Sequence, residues 1–187
     1  CGALGKAEEV FNELPIKSLP CWTALMTGYA QLGQARRVLD VFNMMIGEGI
    51  LPDLVTFLVV LNACSHGGLL DDGQRLFENM DSVYSLTPKT EHCTCMVDLF
   101  GRAGHFDKAM VVIEKVPFSQ RLQLWLSILN SCSKRMNLEL GRWAFEQSIK
   151  LDQRCASAYV CMGNIYAAAG MHEEAEKIEA WRIGNGA

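Results

Sequence analysis

The sequence predicts an all-α fold, a right-handed α-solenoid of stacked helix-turn-helix repeats, and three observations predict it. A turn position recurs at Gly2, Gly33, Gly68, Gly104, Met136 and Gly170, with separations of 31, 35, 36, 32 and 34. A second landmark, at Trp22, Phe57, Cys93, Trp125 and Tyr159, keeps separations of 35, 36, 32 and 34. Two independent rulers sharing one uneven step mark a repeated supersecondary unit. The third observation is that strand-like alternation is nearly absent, while apolar residues return at helical spacing.

Each unit follows from its residues. Glycine between two helices accepts the positive φ of a helix C-terminus. Five residues beyond each turn stands a small residue, Ala7, Gly73, Ala109, Gly141 or Ala175, with Val38 the larger exception. These let the second helix approach its partner closely. Leu76, Phe77, Val112, Ile113, Ala144 and Phe145 recur at helical spacing as a core seam. Pro52, Pro88 and Pro117 fall at the joints, where a helix has to stop. The predicted organisation is a half repeat at 1–18, then hairpins at 19–53, 54–89, 90–121, 122–155 and 156–187. No unit can bury its apolar face alone, so each depends on its neighbours. The opening CGALGKAEEVFNEL reads as the second helix of a hairpin already under way. It therefore suggests an excised piece whose upstream targeting information would be invisible.

Half of the 187 residues are hydrophobic, a fifth are charged, and the formal net charge is -4. A protein relying on phosphate contacts alone is normally basic, so any nucleic-acid binding must rest on local residues. The eight cysteines include no C-x-x-C pair, and most lie in apolar helical stretches. They suggest core packing in a reducing compartment. No apolar run reaches the length of a membrane span, and no membrane partner is expected.

The uneven ladder, with segments WTALMTGYAQLG, VTFLVVLNACSHGGL, MVDLFGRAG and AYVCMGNIYAAAGMHEEAEK, resembles the pentatricopeptide repeat family. In particular it resembles the plant subclass with long, short and standard units in rotation. The resemblance covers essentially the whole chain. It makes 19–53, 54–89 and 90–121 three repeats of that family, and 122–155 and 156–187 two tetratricopeptide-like units of an E-type carboxy-terminal extension.

The resemblance implies an RNA-binding protein of plastid or mitochondrion that acts as a site-recognition factor in C-to-U RNA editing. Its implied partners are single-stranded RNA, read one base per unit, and an editing deaminase or accessory editing proteins. In the first full unit, Thr23 and Asp53 would read the base edge while Pro20 and Val55 clamp its faces. Threonine with aspartate resembles the family's guanine-preferring pair, and a carboxylate acceptor suits the N–H donors of guanine. The second unit offers Leu58 and Lys89, which departs from any informative pair. The third offers Thr94 and Arg121, with Glu91 at a clamp position, and the arginine could do no more than touch phosphate. Thr23 and Asp53 also have a plainer reading, as a helix residue and a helix cap.

Chemistry is less well provided for. A zinc deaminase needs H-x-E followed by P-C-x-x-C. His172-Glu173-Glu174 meets the first half, but only thirteen residues follow Glu174 and none supplies the second. His92, Cys93 and Cys95 look like a cluster, yet residues two apart on a helix point roughly 200° apart. Asp71 and Asp72 suit a helix opening. The chain is expected not to be an enzyme, and no cofactor or metal is expected. Trp143 and Trp181 are candidate anchors for a protein partner. The alternative to an RNA factor is a tetratricopeptide-like adaptor without an RNA role, which would keep a constant step of 34.

Overall fold

The computed structural model describes residues 2–187, with side chains from Leu4 onward; Cys1 lies outside them. The helices are α1 (Gly2–Glu13), α2 (Leu19–Gln31), α3 (Ala35–Gly47), α4 (Leu54–Gly67), α5 (Leu70–Ser82) and α6 (Thr90–Ala103). They continue with α7 (Phe106–Glu114), α8 (Leu122–Arg135), α9 (Leu138–Leu151), α10 (Ala156–Ala168) and α11 (His172–Gly184). A single 3₁₀ turn, Phe118–Gln120, precedes α8. Among the described residues there is no strand.

The chain divides into two compact units, one ending at Leu99 and one running from Phe100 to Ala187. In the first, α2 packs on α3 and also on α4, and α4 packs on α5 and α3. In the second, α8 packs on α9 and α10, and α10 packs on α11. Within each unit these hairpins close on themselves, and α2 lies against α4 as α8 lies against α10, leading helix on leading helix.

The same closure ends the leading helix of every hairpin. Gly33, Gly68, Gly104, Met136 and Gly170 all take positive φ, from 56° to 86°. The next residue's N–H then reaches back to the carbonyl of Tyr29, Cys64, Phe100, Cys132 or Tyr166 at 2.9–3.1 Å. This six-residue hydrogen bond satisfies a carbonyl that the helix end would leave open. Met136 is the one non-glycine residue at these turns, with φ 56° and an exposed side chain. The left-handed conformation is costly for a residue with a Cβ. Met136→Gly is therefore expected to stabilise the chain by about 0.5–1 kcal/mol, read as a higher urea midpoint.

The landmarks are the inner anchors of the helices: Trp22, Phe57, Cys93, Trp125 and Tyr159 are all buried. Several meet a ring from the preceding second helix. Phe11 lies 4.7 Å from Trp22, Phe42 lies 5.7 Å from Phe57, and Phe145 lies 5.3 Å from Tyr159, each edge to face. Edge-to-face pairs add to the area they bury, so these contacts couple one hairpin to the next within each unit. Of the expected seam, Leu76, Val112, Ile113, Ala144 and Phe145 are buried and Phe77 is half-buried.

Small residues mark close helix approaches. A Cβ on Gly73 would stand 2.5 Å from Leu99 Cδ2, and one on Gly141 would stand 3.0 Å from Ile165 Cδ1. Ala7 is exposed and Ala175 is half-buried. Gly101 is also tight against a short side chain, because its Cβ would stand 2.5 Å from Ser131 Oγ and 3.0 Å from Ser131 Cβ. In an open helix, Gly→Ala is stabilising. Gly101→Ala is instead expected to cost about 1–3 kcal/mol by overpacking, measured by chemical denaturation.

Candidate nucleic-acid interface

Asp53 begins the site as a helix cap. Its backbone is extended, with φ -108° and ψ -178°, and Oδ1 accepts from Thr56 N–H at 2.8 Å. The preceding Pro52 keeps the chain from continuing as a helix. The Thr56 hydroxyl also donates to Asp53 Oδ1 at 2.8 Å. On α2, Thr23 Oγ1 donates to Leu19 O at 3.0 Å and lies 3.2 Å from Thr56 Oγ1. The two sides of the site are thus joined through Thr56, which is fully buried.

Between them opens a groove of about 570 Å³, lined by Leu19, Pro20, Thr23, Ala24, Thr27, Gly28, Gln31, Asp53 and Val55. All four residues assigned to base recognition in the first full unit line this one groove. Pro20 sits in the first turn of α2, and Val55 in the first turn of α4 is exposed. The groove therefore has the apolar shoulders Pro20 and Val55, with the polar atoms of Thr23 and Asp53 between them. Thr27 and Gln31 extend it along α2 at the spacing of one helical turn. That spacing from Thr23 is the signal by which they could have been found in the sequence. Thr56 was missed because its hydroxyl points inward, away from the surface that the motif describes.

The later pairs are arranged differently. Leu58 is half-buried and Lys89 is exposed. The Lys89 N–H donates to His92 Nδ1 at 3.2 Å, and His92 Nε2 lies 2.8 Å from Leu54 O. Since Nδ1 accepts, Nε2 carries the proton and donates. Both ring nitrogens are engaged by the backbone, which leaves His92 no lone pair for a metal. Thr94 is half-buried, its hydroxyl turned back on Thr90 O at 2.9 Å. Glu91 is exposed in the first turn of α6. Arg121 donates from Nε to Val116 O at 2.6 Å and from Nη2 to Glu114 O at 3.0 Å. Its guanidinium closes the end of α7, so two of its nitrogens are occupied by the protein rather than turned to a phosphate.

The remaining candidates have local explanations. Asp72 accepts from Arg36 and Arg75, each at 3.0 Å, in the first turn of α5. His172 and Glu173 are exposed at the start of α11. Burial pushes the Cys64 thiol up to about 12 and the Cys95 and Cys132 thiols up to about 11. Such thiols stay protonated at neutral pH and make poor ligands and nucleophiles. Trp143 lies edge to face with Trp125 at 4.9 Å, and Trp181 packs on Phe145 at 6.0 Å and Tyr159 at 6.2 Å. Both tryptophans remain 40–50% exposed, so each combines a fixed ring with a free face.

Paired helices stacked by their leading members within each unit define a helical repeat protein. The PPR repeat family model matches residues 17–66, and the PPR repeat model matches 55–83 and 91–117. Together they span just over half of the chain, which belongs to the PPR repeat family. It is 40% identical over 178 residues to a chloroplastic pentatricopeptide repeat-containing protein of Arabidopsis thaliana, covering 95% of this chain and 21% of that protein. A second chloroplastic relative from Arabidopsis thaliana is 40% identical over 180 residues, covering 96% of this chain and 24% of its own length. The chain thus spans between a fifth and a quarter of these curated relatives.

Among solved structures, the pentatricopeptide repeat protein PPR10 from maize superposes with a TM-score of 0.71 at 21% identity, over 99% of this chain and 28% of that one. PPR10 in complex with an 18-nt psaJ RNA element gives 0.63 at 17% identity, over 96% and 31%. The likeness shows the fold, an α-solenoid of paired helices.

Proposed function

We propose that this chain is part of a longer organellar protein that binds single-stranded RNA and reads it one base per unit. The observation that carries the proposal is the groove at the first full unit, where Pro20, Thr23, Asp53 and Val55 meet. An apolar clamp on the base faces with polar atoms at the base edge is what reading an unpaired base requires. The solved complex of PPR10 with an RNA element, a protein of the same fold, supports a nucleic-acid partner. On this reading residues 19–121 are the three base-facing repeats, after a half repeat at 1–18.

In the finer form of the proposal, the parent belongs to the subclass with rotating unit lengths and acts as a site-recognition factor in C-to-U editing. Residues 122–187 are then the two extension units that recruit or position a deaminase. The half-exposed Trp143 and Trp181 are their anchors, since exposed aromatics on a packed base carry interface energy. The chain itself works by binding rather than catalysis. Plastid or mitochondrion is the proposed compartment, in keeping with relatives named as chloroplastic.

Two results test this. Stacking contributes roughly 1–3 kcal/mol per base, and only the first unit has a complete set of contacts. These 187 residues alone are therefore expected to bind RNA weakly, and tight sequence-selective binding in a filter or fluorescence assay would contradict the division of labour. Deleting 122–187 from the parent is expected to abolish editing while RNA binding persists. Editing that survives the deletion would remove the recruiting role. An adaptor without an RNA role would show no RNA binding in either form.

A further inference from the structure

Thr56 lies between the two side chains assigned to base-edge reading, and it touches both. It is the third residue beyond the cap of α4, fully buried, while its neighbours Asp53 and Val55 face the groove. Counting protons fixes the polarity of the three groups. A carboxylate only accepts, so the single hydroxyl proton of Thr56 goes to Asp53 Oδ1 at 2.8 Å. Thr56 Oγ1 is then an acceptor toward Thr23, 3.2 Å away. The single proton of Thr23 therefore has two inward acceptors, Leu19 O at 3.0 Å and Thr56 Oγ1. With its proton held inside the protein, Thr23 offers the groove only lone pairs, and so does Asp53.

We propose that Thr56 is a specificity-determining positioning residue, whose buried hydroxyl holds Thr23 and Asp53 as a pair of neighbouring acceptors that select guanine. The proposal rests on the base-reading function given above and extends it to a residue that does not face the RNA. Guanine alone among the four bases carries two adjacent N–H donors on its pairing edge, at N1 and N2. Uracil offers one. Adenine and cytosine place a ring nitrogen lone pair beside the amino group, which would confront an acceptor. The relay does not recur in the two following base-facing units. The equivalent positions, three residues after Lys89 and Arg121, hold His92 and Leu124. His92 is engaged by two backbone groups, and Leu124 has no polar atom.

The test measures binding of short oligouridines carrying one guanosine or one adenosine to the 187-residue chain, by fluorescence or nuclear magnetic resonance titration. The wild type is expected to prefer the guanosine probe. Thr56→Val, which keeps the side-chain shape and the backbone N–H to Asp53, is expected to lower the preference roughly 2- to 10-fold, because the positioning hydrogen bonds go while the base contacts remain. Thr56→Ser is expected to keep most of it, and binding of plain oligouridine is expected to stay unchanged in both. Circular dichroism and the urea midpoint establish that each variant is folded. If Thr56→Val unfolds the chain, Thr56→Ala removes the same hydroxyl with less bulk and is expected to reduce the same preference. A guanosine preference that Asp53→Asn abolishes but Thr56→Val leaves intact would overturn the relay and spare the base-reading function. A wild type with no preference, indifferent to Asp53→Asn, would overturn both.

Discussion

Phe57→Ala is expected to cost about 3–5 kcal/mol of folding free energy, the range for deleting a buried aromatic ring. Phe57 is fully buried on α4 and is gripped from two sides, by Phe42 on α3 at 5.7 Å and by Tyr84 after α5 at 5.2 Å. Neither neighbour can move into the space without giving up its own packing. The loss joins a missing transfer term to a cavity bounded by three parts of the chain. Stability in a stacked array is shared between adjacent hairpins, so the unfolding transition of the unit ending at Leu99 should shift as a whole. Chemical denaturation followed by circular dichroism reads this directly. A cost under 1 kcal/mol would mean that the ring contacts are not what joins these hairpins.

His92→Leu is expected to cost about 2–4 kcal/mol. The volume is roughly kept, so the effect comes from hydrogen bonds. Removing Nδ1 strands the Lys89 N–H, worth about 1–3 kcal/mol for a donor left without a partner. Removing Nε2–H deletes the 2.8 Å bond to Leu54 O, worth about 1 kcal/mol more. His92→Gln tests the assignment, because an amide can supply one donor and one acceptor. It should recover part of the loss, whereas equal destabilisation by glutamine and leucine would point to ring packing instead.

These two residues show what the sequence could and could not convey. Phe57 was legible because its role follows from spacing: a landmark returning at the repeat step has to face the seam. The turns were legible for the same reason, and Met136 fell into place by position although its side chain gave no hint of positive φ. His92 was not legible. As a neighbour of Cys93 and Cys95 it resembles a ligand cluster, and only the fold reveals Leu54 O and the Lys89 N–H on either side of it. Arg121 was equally opaque, since a cation at a base-reading position looks available to phosphate until two carbonyls at the end of α7 are seen to hold it.

The groove divides in the same way. Pro20, Thr23, Asp53 and Val55 were reachable through the repeat alignment, which assigns a role to each register position. Their convergence around one cavity of about 570 Å³ needed the packing of α2 against α4, which no local pattern encodes. Asp53 both caps α4 and lines the groove. One carboxylate oxygen caps α4, which fixes the side chain at the groove mouth. The plainer reading of Asp53 as a cap and its reading as a base-edge acceptor are thus compatible.

The most direct test follows the methyl resonances of the isotopically labelled chain while a short single-stranded RNA is added. Base insertion beside the first full unit should shift the methyl signals of Val55, Thr23 and Thr27 first. Those in α8 to α11 should stay in place. Shifts confined to residues 122–187, or no shifts at RNA concentrations that saturate a weak site, would contradict the placing of a base in this groove.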